Sequence, residues 1–317
     1  MTDIKEINGA QVQYINLYTS QAEAIKKHSA KAMNVLRDKA FDDFKRQQFP
    51  TRKVERYKYS DMQKLFEPDY GLNINRLDIP VDPYQAFKCD VPNLSTQLYF
   101  VVNDAFYTKA LPKSNLPEGV IIDSLSNVAT QNPELVSKYY GKLAKTNEDT
   151  ITALNTMLAQ DGLFVYVPKN VKVDRTIQVI NILRSDVDMM VNRRVLIVLE
   201  EGAEAKFLFC DHAVDDRNFL ATQVIEAVVG VVDSGIFLAI VEYCSGHGSA
   251  CQKASEIGVI CTFVAVDDRN EIGRYAEAHS RRGSQAVFHD GDNILVACVD
   301  RGIGQVYVVT VAAVDGY

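Results

Sequence analysis

Around Gly162 the chain changes from a helical to a strand period, and no helical stretch recurs between the strands that follow, up to Glu226. Residues 161–168 (DGLFVYVP) and 200–209 (EEGAEAKFLF) are short runs rich in Phe, Val and Tyr, each bounded by turn residues. Phe164 alternates with Tyr166, Ile177 with Val179, Leu196 with Val198 and Phe207 with Phe209. A doubly wound parallel sheet needs a crossover helix between its strands. Short strands joined by corners of one or two residues suit a stack of sheet coils instead. Gly202 falls where such a corner needs a positive φ, and Ala203 and Ala205 are small enough for successive coils to stack closely. A coiled sheet offers flat faces and two open ends, the form of a platform for partners.

The first third reads as helical. Ser20 and Glu23 have capping-box spacing, Ile25, Ala32, Leu36 and Phe44 recur near the helical period, and Pro50 stops the run. Ser60 is expected to cap a short helix through Phe66, and residues 68–92 read as irregular chain. A strand follows from Leu98, with a turn at Asn103 and Asp104. One further helix starts at Pro133 and carries Leu135, Tyr139 and Leu143; another carries Ile151, Leu154 and Leu158 and ends at Gly162. Three regions result: a largely helical part over 1–160, sheet coils over 161–230, and an atypical Val-rich segment over 231–317. In that segment there is no proline, no lysine after Lys253, and no leucine besides Leu238 and Leu295. Val306 to Val309 still reads as strand; the segment is expected to be a second domain of other origin, a fusion, or the product of a disrupted frame.

The net charge of −7 lacks the basic face of a general nucleic-acid binder. The aromatic and basic stretch 52–59 is therefore expected to be structural, its tyrosines pinning the segment to a neighbouring helix. The longest apolar-rich stretch without a charge, 302–314, is short of a membrane span and broken by Gly304 and Gln305. No membrane partner is expected. The first residues carry no apolar signal region, and the six cysteines (Cys89, Cys210, Cys244, Cys251, Cys261, Cys298) form no small disulfide framework. Reduced thiols and a cytoplasmic location are the expectation.

No glycine-rich phosphate loop, no G-x-G-x-x-G and no G-x-S-x-G elbow occurs. The metal candidates are Cys244, His247 and Cys251, two thiols and an imidazole in one glycine-rich stretch, with Cys261 or Glu242 as a fourth ligand. That donor set suits Zn²⁺ or an iron–sulfur species; the competing reading is a chance cluster. A second candidate pair is Cys210 and His212, two apart on a strand and so on one face. Against it stands Cys210 as a small buried hydrophobe and His212 as a solvated corner residue. His28, His279 and His289 have no evident partner and are given no role.

Three segments carry a family resemblance: 49–61 (FPTRKVERYKYSD), 154–155 with 161–171 (DGLFVYVPKNV), and 194–205 (RVLIVLEEGAEA). Together, over residues 40–226, they resemble the SufB/SufD family of iron–sulfur cluster assembly proteins, closest to its SufD branch. The resemblance implies a mainly β fold with an N-terminal α region, a right-handed parallel β-helix preceded by helices. It further implies a non-catalytic scaffold working with a SufB-like subunit and a SufC-like ATPase, clusters being built for delivery to apoproteins. No resident cofactor is expected, only a transient iron–sulfur cluster shared with a partner. The family's later Cys-Ser-His-Gly-type segment and its C-terminal helical domain, which docks the ATPase, are not found here, so no family role is carried onto His247. Two other readings are a β-helix lyase or hydrolase acting on carbohydrate, with Asp186 and Asp188 as the same-face carboxylates, and a truncated, non-functional remnant of the same family.

Overall fold

A computed structural model describes residues 9–54, 57, 61–86, 96–112 and 116–230, together with the strand backbones 236–245, 258–265, 294–296, 299–300 and 304–314. Helices α1 (Gly9–Lys27), α2 (Lys31–Asn34), α3 (Arg37–Arg46), α4 (Met62–Phe66) and α5 (Pro83–Ala86) come first. They are followed by β1 (Thr96–Val102), β2 (Ala105–Phe106) and β3 (Ile121–Ser124), then α6 (Leu125–Gln131), α7 (Pro133–Tyr139) and α8 (Thr150–Leu158). The strands that continue the chain are β4 (Gly162–Val167), β5 (Thr176–Leu183), β6 (Met189–Leu199), β7 (Phe207–Ala213) and β8 (Phe219–Gly230). Beyond them lie β9 (Ile236–Ser245), β10 (Gly258–Ala265), β11 (Ile294–Val296), β12 (Val299–Asp300) and β13 (Gly304–Val314).

From β4 to β9 consecutive strands fall alternately in two sheets, β4, β6 and β8 in one and β5, β7 and β9 in the other. Within each sheet these neighbours are parallel. Their registers join residues thirty to thirty-three apart: Ile177 with Phe207, Met189 with Phe219, Gly162 with Arg194, and Phe209 with Glu242. The hairpin β1–β2 closes one end, where Phe106 enters the apolar core between the sheets. The connections are longer than the expected one or two residues: 184–188, 200–206 and 214–218. Two facing sheets stand about 10 Å apart, and two extended residues span only about 7 Å.

Both faces of the β4/β6/β8 sheet are buried. Leu163, Val165, Val195, Ile197, Ile225 and Ala227 face the inter-sheet core with Ile177, Val179, Phe207 and Phe209. The alternate residues Phe164, Leu196 and Val198 meet α2, α6 and α7, while Met190, Leu220 and Val224 meet α1, α3 and α8. The alternation expected for Phe164, Leu196 and their neighbours thus describes the helix-facing side. Burial on both faces explains the near-continuous apolar runs of β6 and β8.

Local signals held or failed for identifiable reasons. Asn103 turns the β1–β2 hairpin with φ 53 and Gly202 turns its corner with φ 69, while Asn132 caps α7 ahead of Pro133. The capping box at Ser20 does not form. Ala10, Tyr14, Tyr18 and Ile25 extend the buried stripe back to Gly9, so Ser20 lies inside α1 and its hydroxyl donates to the Leu17 carbonyl at 3.0 Å. Helix α4 takes Asp61 as its cap, through the Lys64 N–H, and Ser60 lies outside the described residues. Helix α8 ends at Leu158, short of Gly162, which instead opens β4 where a Cβ would overlap the Arg194 backbone.

Candidate functional site

Two adjacent arginines on β6 organise the polar interior. Strand alternation sends Arg193 between the sheets and Arg194 to the helical side. Arg193 lies 2.8 Å from Asp211 on β7, both buried. Asn181 on β5 reaches Asp211 at 3.4 Å, and Gln223 is in register with Arg193 on β8. A polar belt therefore crosses the stack, separating the main apolar core from the smaller one of Leu183, Met189, Val191, Phe219 and Ala221.

On the helical side Arg194 meets Glu226 at 2.6 Å, donates to Thr156 Oγ1 at 2.9 Å and lies 4.8 Å over the Tyr140 ring. Glu226 also accepts the backbone N–H groups of Gly141, Leu143 and Ala144 at 2.9 to 3.1 Å. Its carboxylate thereby fixes the connection between α7 and α8. Burial pulls the Arg194 pKa down, yet Glu226 and Tyr140 more than offset it and the net shift is upward. Asn155 of α8 donates to the Arg193 carbonyl at 3.0 Å and to Thr222 Oγ1 at 3.0 Å.

A third buried charge is Asp161. It accepts from Ser124 Oγ at 2.7 Å, Ser126 N at 3.0 Å and Phe106 N at 3.1 Å, with Arg76 Nη2 at 3.7 Å. Burial pushes its carboxyl pKa up, and Arg76 with these donors opposes that shift. Asp161 thus occupies the outward N–H of β2 and ties it to the start of α6. All these groups lock elements together; each carboxylate oxygen is already engaged by donors that a reacting substrate would have to displace.

The sequence-level candidates are placed as follows. Cys210 and His212 both lie within β7, and His212 is buried in the strand, not solvated at a corner. Burial lowers the His212 pKa, with Asp211 opposing. Cys244 belongs to β9, its backbone in register with Asp211; His247 and Cys251 lie outside the described residues. Among the described residues no group of three or more His, Cys, Asp or Glu is placed to hold a metal ion. Asp186 pairs with Arg184 at 2.9 Å and Asp188 accepts from Asn218 N at 3.0 Å, so both carboxylates serve the turns of the stack. Tyr57, in the basic and aromatic stretch, is buried and donates to Asp149 Oδ2 at 2.7 Å, pinning that segment to the cap of α8. No described helix is long and apolar enough to cross a membrane.

The belt residues escaped the reading by pattern, although a signal was present. Two arginines inside the fully buried run 189–199, and one buried glutamate inside 219–230, demand counter-charges that only tertiary structure supplies.

Comparison with known proteins finds the family model described as SufBD protein N-terminal region over residues 8–179. An iron–sulfur cluster assembly SufBD family protein of Synechocystis is 35% identical over 113 residues, 35% of this chain and 23% of that protein. One of Arabidopsis thaliana is 29% identical over 168 residues, 53% of this chain and 34% of that protein. One of Staphylococcus aureus is 27% identical over 178 residues, 54% of this chain and 38% of that protein. The matched part of the chain thus spans well under half the length of these relatives.

Proposed function

The chain belongs to the SufBD family, and from that premise we propose that it is a non-catalytic scaffold subunit of an iron–sulfur cluster assembly complex. The observation that carries the proposal is the stack itself: β4–β6–β8 and β5–β7 in parallel register at intervals of thirty to thirty-two residues, welded by buried ion pairs. Such a stack is read here as the first coils of a right-handed parallel β-helix. Backbone-paired coils with a filled interior make a stiff slab, suited to holding a partner in a fixed geometry.

In this reading a SufB-like subunit docks on the slab, and the partner's thiolates hold iron and sulfide while a cluster is built. A SufC-like ATPase supplies the motion as a separate subunit. Helices cover the outer face of β4, β6 and β8, and Ile180, Ile182 and Leu208 on the outer face of the opposite sheet are buried as well, so a partner would meet the stack at an end. This chain contributes shape and rigidity, and no bond-making step is assigned to it.

Co-expression with SufB-like and SufC-like subunits from the same genome, followed by capture through a tag on this chain, tests the assignment. The SufB-like subunit is expected to co-elute. Elution of this chain alone, with both partners present and soluble, would overturn the scaffold role.

A further inference from the structure

One edge of β6 is interrupted, and the interruption opens on a small internal cavity. Met189 N–H donates to the Asn218 carbonyl at 3.0 Å, so residues 189, 191 and 193 direct their backbone groups to β8. Met190, Asn192 and Arg194 turn theirs the other way. There Gly71 N–H donates to the Asp188 carbonyl and Met190 N–H to the Gly71 carbonyl, at 2.9 Å each. The parallel pairing that Gly71 begins ends after this one bridge, and β4 resumes it only at Gly162, opposite Arg194. The Met190 carbonyl and the Asn192 N–H face the interval between. Among the described residues no backbone group bonds to either of them there.

Ile25, Leu72 and Leu158 close the cavity with apolar surface, while Gln160 and Asn192, both buried, bring amides to it. Gln160 Nε2 donates to the carbonyls of Ile74 at 3.0 Å and Ile25 at 3.3 Å, which leaves Oε1 as an acceptor. Asn192 Oδ1 accepts from Thr222 Oγ1 at 2.7 Å, which leaves its NH2 group as a donor. The other polar side chains of the lining are engaged: Asn73 with Leu77, Asn103 with Arg184, Asp104 with Arg76. Two acceptors and two donors therefore border a space of about 10 Å³ for the centre of a water-sized sphere. That is room for one water molecule, and a buried water makes two to four hydrogen bonds to groups of these kinds. Buried backbone groups rarely go without a partner. A cation of similar size would meet the hydrogens of both donors.

We propose that a single structural water occupies this cavity. It completes the edge of β6 and ties segment 71–74 to the connection between α8 and β4. The site is independent of the scaffold reading.

The test is a crystal structure of the full chain at a resolution that shows ordered water, with water–amide NOE spectra of the deuterated protein. One peak is expected about 2.7–3.2 Å from the Met190 carbonyl oxygen and from Gln160 Oε1. The Asn192 amide should show a water cross-peak with the sign of a bound molecule. A dry cavity, an Asn192 N–H bonded to a protein carbonyl, or no such cross-peak would overturn the proposal. So would a peak with oxygen contacts of about 2.3–2.6 Å, which would mark a metal ion.

Discussion

Arg194 on β6 and Glu226 on β8 meet at 2.6 Å at a point where neither side chain reaches solvent. The pair joins adjacent strands and, through three backbone N–H groups, holds the connection between α7 and α8 against the sheet. Removing one member of such a pair strands the other charge in a dry site. Glu226→Gln is therefore expected to destabilise the protein by about 3–5 kcal/mol, read as a fall in the urea unfolding midpoint. A loss below about 1 kcal/mol, the range of surface pairs, would show that water reaches the site.

Arg37 is a buried cation held mainly by oxygens that carry no full charge. It donates to the carbonyls of Met157 at 2.9 Å and Ala159 at 2.6 Å, closing the end of α8, and to Ser29 Oγ and Asn34 Oδ1 at 2.8 Å each. Lysine keeps the charge but cannot span these directions with a planar fork. Arg37→Lys should cost about 2–3 kcal/mol, with faster amide exchange at the last turn of α8. Unchanged exchange there would show that the carbonyls find other donors.

What was legible in the sequence was local in origin. The change of period at Gly162, the corner at Gly202, the turn at Asn103 and the start at Pro133 each follow from residues within a few positions of one another. The buried charges were not legible because their partners are neighbours only through the stack. Arg193 meets Asp211 across two facing sheets and Arg194 meets Glu226 one rung away. Tyr14 and Tyr18 hid the start of α1 for a related reason: an amphipathic tyrosine reads as surface or core until its neighbours are known. His212 was misplaced because the strand carrying it runs on to Ala213.

The two glycines at the stack's close approaches should differ in cost. Gly202→Ala places a side chain at φ 69 and against Asn170, a side chain that can move, so about 1–2 kcal/mol is expected. Gly162→Ala drives a Cβ into the Arg194 backbone on the adjacent strand, where only displacement of β6 gives relief. Its thermal midpoint should fall further than that of Gly202→Ala. Equal midpoints would mean that β4 and β6 do not pair at Gly162.

The buried His212 sets a pH dependence of stability. Burial depresses its folded pKa, and Asp211 only partly restores it. As pH falls below about 6.5, the ordinary histidine value, the unfolded chain takes up the proton first. The stability tied to neutral His212 is therefore present above pH 6.5 and lost as pH drops through the folded value. Urea midpoints measured from pH 7.5 to 5 should decline more steeply for the native chain than for His212→Gln, whatever the offset between them at neutral pH. Parallel declines would show that the acid sensitivity does not come from His212.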